Sequence, residues 1–472
     1  MSHRVKFFSS VLRMSQQEIL PPSKHWDSLK RYIAEQRKKE NIDYFRNLPC
    51  IKKSGFKLKL NQLRIVEHLF KHSSLLVIHR TGFGSLSAIT TSQCLLNARK
   101  VNQVIVVSLK KNFKDEIINY GGDRNYKFYT YTKFAREYGN SILNEDLANT
   151  FLIIDEAHNL SSKSDPKNPI PTSRKVNSES VKQIILAAKA SKKVMLLTAT
   201  PVINSPSDIA NLMEMLNPKP LDITSPKLFF NPIIFRKIVY DKQILDEELF
   251  NEFFSGKILI EPGFSKVDEV IKRLPMTQKF YKEYYRQQRK LRPDLIVDYF
   301  YSDLRQSCNI LDGISPKITF ILKKLRENKR SVVHSNFVRR GIEVLGLILK
   351  KNGIRYVTIT GKMSESERKK ATEAYNSGEV NVILFSNVAS EIELKNTKYI
   401  FIMEPNWNLN RIEQMKARAP NFYKVYSLIL EKPKRRFLGD NIESVDNILE
   451  QYTKERQKEI DAFMKELKRV SI

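Results

Sequence analysis

The chain has 472 residues, enough for two or three domains, each with its own core. Its 41% hydrophobic and 28% charged residues describe a folded protein and exclude a disordered or fibrous one. No apolar run approaches the ~18 residues that span a bilayer. Lys and Arg outnumber Asp and Glu by 81 to 51, and the resulting net charge of +30 favours a polyanionic partner, nucleic acid first. A lysine-rich coding bias would raise the same count. The three cysteines, Cys50, Cys94 and Cys308, have no paired spacing. Neither a disulfide framework nor a zinc site is therefore indicated, and a reducing compartment fits.

Residues 1–50 form a polar, basic extension. Its start, with Arg4, Lys6 and Arg13 ahead of the first acidic residue, Glu18, also has the composition of a mitochondrial transit peptide. Over 51–216, strand-like runs alternate with amphipathic helices: Leu75–Ile78, Val104–Val107, Phe151–Ile154 and Val194–Leu197. Short uninterrupted apolar runs of this kind belong to parallel strands covered on both faces. Residues 217–314 are aromatic and basic and read as a mostly helical linker. Within it Tyr281, Tyr284 and Tyr285 interleave with Lys and Arg, which suits either stacking on a nucleic-acid strand or simple amphipathic packing. A second alternating series fills 315–438, with strands at Ser331–His334, Tyr356–Ile359, Val382–Phe385, Tyr399–Ile402 and Val425–Leu428. Helically spaced apolar residues in 439–472 predict a C-terminal packing helix. The expected fold is α/β, with two tandem parallel-sheet lobes.

Asp155-Glu156-Ala157-His158 closes one of the predicted strands. Two carboxylates there can hold a hydrated magnesium ion and activate a water molecule. Upstream, His79-Arg80-Thr81-Gly82-Phe83-Gly84-Ser85-Leu86-Ser87 has glycines that would let backbone N–H groups face phosphates. The first glycine of such a loop is replaced by His79, and its lysine and hydroxyl by Ser85 and Leu86. Ser85 cannot neutralise phosphate, and Leu86 cannot ligate a metal. Further along lie Thr198-Ala199-Thr200-Pro201, Thr360-Gly361-Lys362, Glu391-Ile392-Glu393-Leu394, and Gln414 to Asn421 with Arg418 between them.

In this order the motifs resemble the superfamily-2 DEAH-box helicase and translocase core, with RecA-like lobes. The likeness is greatest to the nucleoside triphosphate phosphohydrolase and early-transcription-factor small-subunit group of poxviruses and other large DNA viruses. The resemblance implies ATP and Mg2+ as cofactors, and no zinc. It makes Gln62 the adenine reader, and Thr81, Gly82, Gly84 and Ser85 the phosphate cradle. Asp155 becomes the metal ligand, Glu156 the general base and Arg418 a surviving arginine. His158, coupled to the nucleotide or to the next motif, and Thr198, Thr200 and Gln414 become the coupling residues, while Thr360, Gly361 and Lys362 touch the nucleic-acid backbone. The arginine finger of the family falls at Asn421, and a close-approach glycine has become Ile392.

Because a finger alone accounts for about 10³–10⁵ in rate, the joint losses predict a silent or very weak NTPase. The implied partners are duplex DNA and an RNA polymerase or larger transcription-factor subunit. The implied setting is host cytoplasm or virion, with the mitochondrion as the alternative. Two other readings remain: an active DNA-dependent NTPase or helicase, and a virion structural protein.

Overall fold

Strands β1 (Ser74–Ile78), β2 (Gln103–Val107), β4 (Thr150–Asp155) and β5 (Lys193–Thr198) are buried along almost their whole length. Their branched and aromatic side chains meet no water on either face. In the computed structural model the described residues are 42–54, 58–79, 84–108, 112–119, 125–138, 147–160, 176–202, 206–217, 239–240, 243–244, 246–261, 268–289, 301–313, 315–386, 392–405, 416, 419, 424–433 and 443–472. Most of the basic extension, residues 1–41, lies outside them.

Sheet one adds β3 (Tyr126–Tyr129) and, after a two-residue-strand hairpin of β6 (Val239–Tyr240) and β7 (Gln243–Ile244), β8 (Ile258–Ile260). Its order is β3-β2-β4-β5-β1-β8, parallel throughout. Sheet two contains β9 (Glu269–Pro275), β10 (Ser331–His334), β11 (Tyr356–Ile359), β12 (Val382–Phe385), β13 (Tyr399–Ile402) and β14 (Lys424–Glu431). Its order is β11-β12-β10-β13-β14-β9, again parallel. The fold is thus two RecA-like α/β lobes, as expected.

The described part of residues 217–314 is mostly helical, as expected, and it also gives one strand to each sheet, which the sequence did not show. β8 pairs with β1 and β9 with β14. Neither carries a legible run: β8 has three residues, and along β9 only Leu274 is buried, as befits a polar edge strand.

The helices that matter below are α1 (Pro49–Ser54), α2 (Leu60–Lys71), α3 (Gly84–Asn97), α4 (Tyr131–Tyr138) and α5 (Glu247–Phe254). They are followed by α6 (Gln278–Arg289), α7 (Pro316–Leu325), α8 (Glu365–Ser377) and α9 (Val445–Arg469). On α6, Phe280, Tyr281 and Tyr284 are buried, and the Tyr284 hydroxyl accepts from the Val445 amide at 2.9 Å. Those tyrosines pack inward and do not offer rings for stacking on a strand. The C-terminal helix α9 starts on lobe two through Val445 and Leu449, and ends on lobe one with Phe463 beside Phe250 and Phe254. No described helix is long and apolar enough to cross a membrane.

The cysteine reading is corrected. Cys50 on α1 and Cys94 on α3 form a disulfide across 44 residues of sequence. Their spacing carries no signature, since only the packing of α1 against α3 brings the thiols together. The inference of a reducing compartment falls with it. Closing a loop of that size restricts the unfolded chain, so Cys50→Ser with Cys94→Ser should lower unfolding free energy by about 2–4 kcal/mol. Urea denaturation with and without reductant checks this, and the double variant should be insensitive to reductant. Cys308 is buried and unbridged, and burial pushes its thiol pKa up.

Candidate active site

Parallel pairing brings the C-terminal ends of β1, β4 and β5 together. Asp155 stands opposite Leu197, and Thr198 opposite Ile78. The chain is pinned one residue further by the His79 amide, which donates to the Thr198 carbonyl at 3.0 Å. In an open parallel sheet this edge is where ligands bind.

Asp155 is buried, and its Oδ2 accepts from the Ser108 hydroxyl at 3.0 Å, just beyond β2. Glu156 has a left-handed backbone, φ 52°, a conformation that costs a non-glycine residue energy unless neighbours hold it. Tyr131 on α4 does so: its hydroxyl reaches the carbonyls of Asp155 and Glu156, the latter at 3.0 Å. Asn159 Nδ2 donates to the Glu156 carbonyl at 2.9 Å. Burial, then the charges of Asp155 and Glu156, pushes the Tyr131 pKa far above its usual value, so it remains a donor. The turn places Glu156 Oε2 3.4 Å from His158 Nδ1. His158 Nδ1 is in turn 3.1 Å from Thr198 Oγ1, which accepts the Thr200 amide at 3.1 Å. One polar chain thus joins the acidic box to the Thr-Ala-Thr segment.

Tyr131 and Ser108 carry no motif, and the sequence did not single them out. Tyr131 looks like any core tyrosine until the fold places it under the turn. Tyr131→Phe should destabilise the protein by about 1–3 kcal/mol, because it removes the buried hydroxyl's hydrogen bonds to the Asp155 and Glu156 carbonyls, of which Asn159 replaces only the second. Urea denaturation measures that loss, and an unchanged midpoint would remove Tyr131 from this role.

The phosphate end differs. Thr81 and Gly82 lie outside the described residues, as do Gln414, Arg418 and Asn421. Gly84 opens α3, Ser85 and Leu86 occupy its first turn, and Ser87 is wholly buried within it. His79 is 9% exposed, and its ring lies against Gly84. Gln62 is also buried, and its Oε1 accepts the Lys59 amide at 2.8 Å, so its acceptor serves the start of α2. Asp155 and Glu156 suit a hydrated divalent ion; Ser85, Leu86 and the His79 ring do not suit the triphosphate it would accompany.

In lobe two, Thr360, Gly361 and Lys362 form the turn from β11 towards α8, with Gly361 and Lys362 exposed and open space around Gly361. Ser364 caps α8, and Arg368 donates to the Gly361 carbonyl at 3.3 Å, fixing the turn. Ile392 and Leu394 are buried, which accounts for apolar residues in that motif.

Two parallel α/β lobes, with an acidic box coupled to a Thr-Ala-Thr segment in the first, define a superfamily-2 helicase core. The family described as "Type III restriction enzyme, res subunit" matches residues 61–203, and "Helicase conserved C-terminal domain" matches 316–421. A protein of Acanthamoeba polyphaga mimivirus named "Putative ATP-dependent RNA helicase" is 28% identical over 79% of this chain and 86% of its own length. A second mimivirus protein of the same name is 25% identical over 78% of this chain and 79% of itself. The "Putative helicase" of Invertebrate iridescent virus 3 is 24% identical over 62% of this chain and 35% of its own. A Sulfolobus solfataricus SWI2/SNF2 ATPase core solved with dsDNA is 17% identical, with a TM-score of 0.36 over 80% of this chain and 88% of that one. The chain carries a superfamily-2 helicase core of the kind found in large DNA viruses.

Proposed function

We propose that this chain is a nucleic-acid-binding member of that superfamily whose NTPase engine is silent or nearly so. Its setting would be a viral transcription complex, in host cytoplasm or virion. The observation that carries the reading is the split at the sheet edge. Glu156, His158, Thr198 and Thr200 keep a connected polar chain beside Asp155, while Ser85 and Leu86 take the sequence positions of the family's lysine and hydroxyl and the His79 ring lies against Gly84. The net charge of +30 and the exposed turn at Gly361 and Lys362 support binding to a phosphate backbone. Duplex DNA is the proposed partner, and the transcription role follows from the sequence resemblance.

The relatives' names favour a second reading, an ATP-dependent RNA helicase. Phosphate release with saturating ATP, with and without duplex DNA or RNA, separates the two. The first reading expects turnover at background in all three conditions, about 10³-fold or more below an intact motor. Stimulation by either nucleic acid well above background would overturn it.

A further inference from the structure

We propose that the edge of sheet one opposite the acidic box is a second contact surface for a nucleic-acid phosphate backbone, separate from the turn at Lys362. The chain enters β1, β2, β4 and β5 at this edge, a strand's length of roughly 17–20 Å from the edge carrying Asp155. The entering residues are 71–73 for β1, 99–102 for β2, 149 for β4 and 191–193 for β5. They include Lys71, His72, Arg99, Lys100, Lys192 and Lys193, and no Asp or Glu. Lys193 is buried, with Nζ donating to the His72 carbonyl at 2.8 Å, and the other five are exposed. Backbone bonds hold the entries in place. The Asn102 amide donates to the Asn149 carbonyl at 2.9 Å, the Lys192 amide to Leu147 at 3.1 Å and the Val194 amide to Ser73 at 2.8 Å.

The order β2-β4-β5-β1 sets the outer two entries three strand spacings apart, roughly 14 Å, the axial run of about four nucleotides on one strand. Helix C-termini favour a cation each, and α2, α3 and the helix Ser178–Ala190 all end here. That preference accounts for single cations but not for the doublets Arg99-Lys100 and Lys192-Lys193, which set like charge beside like. Among the described residues, Lys71 alone of the six pairs with a carboxylate, Glu67 at 2.7 Å. Burial, then the charges of Lys100 and Lys192, lowers the Lys193 pKa to about 8, so cations from separate turns feel one another. Surface cations that repel in this way favour a polyanion over water. None of the exposed large apolar residues falls in these entries. The edge therefore lacks the apolar core of a protein interface, whereas a phosphate backbone asks for charge alone.

The test compares two double variants of the full chain for binding of a labelled DNA duplex, by fluorescence anisotropy over a range of salt. Lys100→Gln with Lys192→Gln should weaken binding about tenfold or more near about 100 mM salt, and reduce the slope of log affinity against log salt by about two. Lys350→Gln with Lys351→Gln removes the same charge from exposed lysines that end a helix of lobe two, and should change affinity less than about twofold. Equal losses in the two variants would show net charge acting without a site and would overturn the proposal. Loss with Lys362→Ala but none with the Lys100 and Lys192 pair would overturn this edge and leave the proposed function standing. No binding by the natural chain would overturn both. A poly-glutamate peptide that binds the natural chain more tightly than a duplex of equal charge, and fails to bind the Lys100 and Lys192 variant, would assign the edge to an acidic protein segment and overturn the assignment to nucleic acid.

Discussion

Replacing Lys317 with methionine should lower unfolding free energy by about 3–5 kcal/mol. Lys317 on α7 and Asp446 at the start of α9 form an ion pair at 2.5 Å with no exposure of either side chain. The ammonium also donates to the Met403 carbonyl at 2.5 Å, and Asp446 Oδ2 accepts the Leu430 amide at 3.1 Å. The pair thus ties α7, α9 and the ends of two strands together. Burial pushes the Asp446 carboxyl above the usual carboxylate range, and Lys317 pulls it back only in part. Without Lys317 the carboxylate is buried without its counter-charge, and its pKa rises further.

The sign of the pH dependence follows. A carboxyl whose folded pKa is raised contributes stability at low pH and loses it as pH rises through that pKa. The gap between Lys317→Met and the natural chain should therefore widen from mildly acidic to alkaline solution. Adding Asp446→Asn removes the charge while keeping an acceptor for Leu430, and should recover most of the loss. Urea denaturation across pH measures all three chains. A gap independent of pH, or no recovery in the double variant, would show that packing rather than the uncompensated charge sets the cost.

The second large effect is on binding. If the chain holds duplex DNA through its basic surface, raising salt from about 50 to about 200 mM should weaken the complex about 10³-fold, as for some six neutralised phosphates. Fluorescence anisotropy with a labelled duplex gives the slope of log affinity against log salt. Lys362→Ala removes one exposed cation from the turn before α8 and should reduce that slope by about one, equally for unrelated sequences. A change of less than threefold over the same salt range would leave the charge as a matter of composition and favour the structural-protein reading. Stronger binding of duplex RNA than of DNA would move the partner, while leaving the electrostatic argument in place.

Much of the fold could be read without coordinates. The four apolar runs of lobe one and four of the five of lobe two become central or near-central strands, because a side-chain sequence without alternation leaves no wet face, while the fifth, Tyr356–Ile359, forms the half-buried edge strand β11. What escaped was local and polar. β3 carries a Lys among its aromatic residues, β9 mixes Glu, Lys and Arg with its apolar ones, and both lie at sheet edges, where one row of backbone groups and much of one face need no burial. The tyrosines of α6 had two readings at the level of sequence, and for Tyr281 and Tyr284 the structure chose packing, because a helix of that spacing must turn one face inward; Tyr285 is half-buried, with Arg289 over its ring.

The sequence by itself determined the superfamily pattern and the parallel two-lobe architecture, and it puts Ser85, Leu86 and Asn421 where the resemblance expects a lysine, a hydroxyl and an arginine finger. These depend on residue identity and order along the chain. Tertiary structure alone decided that Cys50 meets Cys94, that Tyr131 holds Glu156 in a left-handed turn, and that the His79 ring lies against Gly84. Each of these is a contact between residues on different elements, fixed by how strands and helices pack and not by their spacing in the chain.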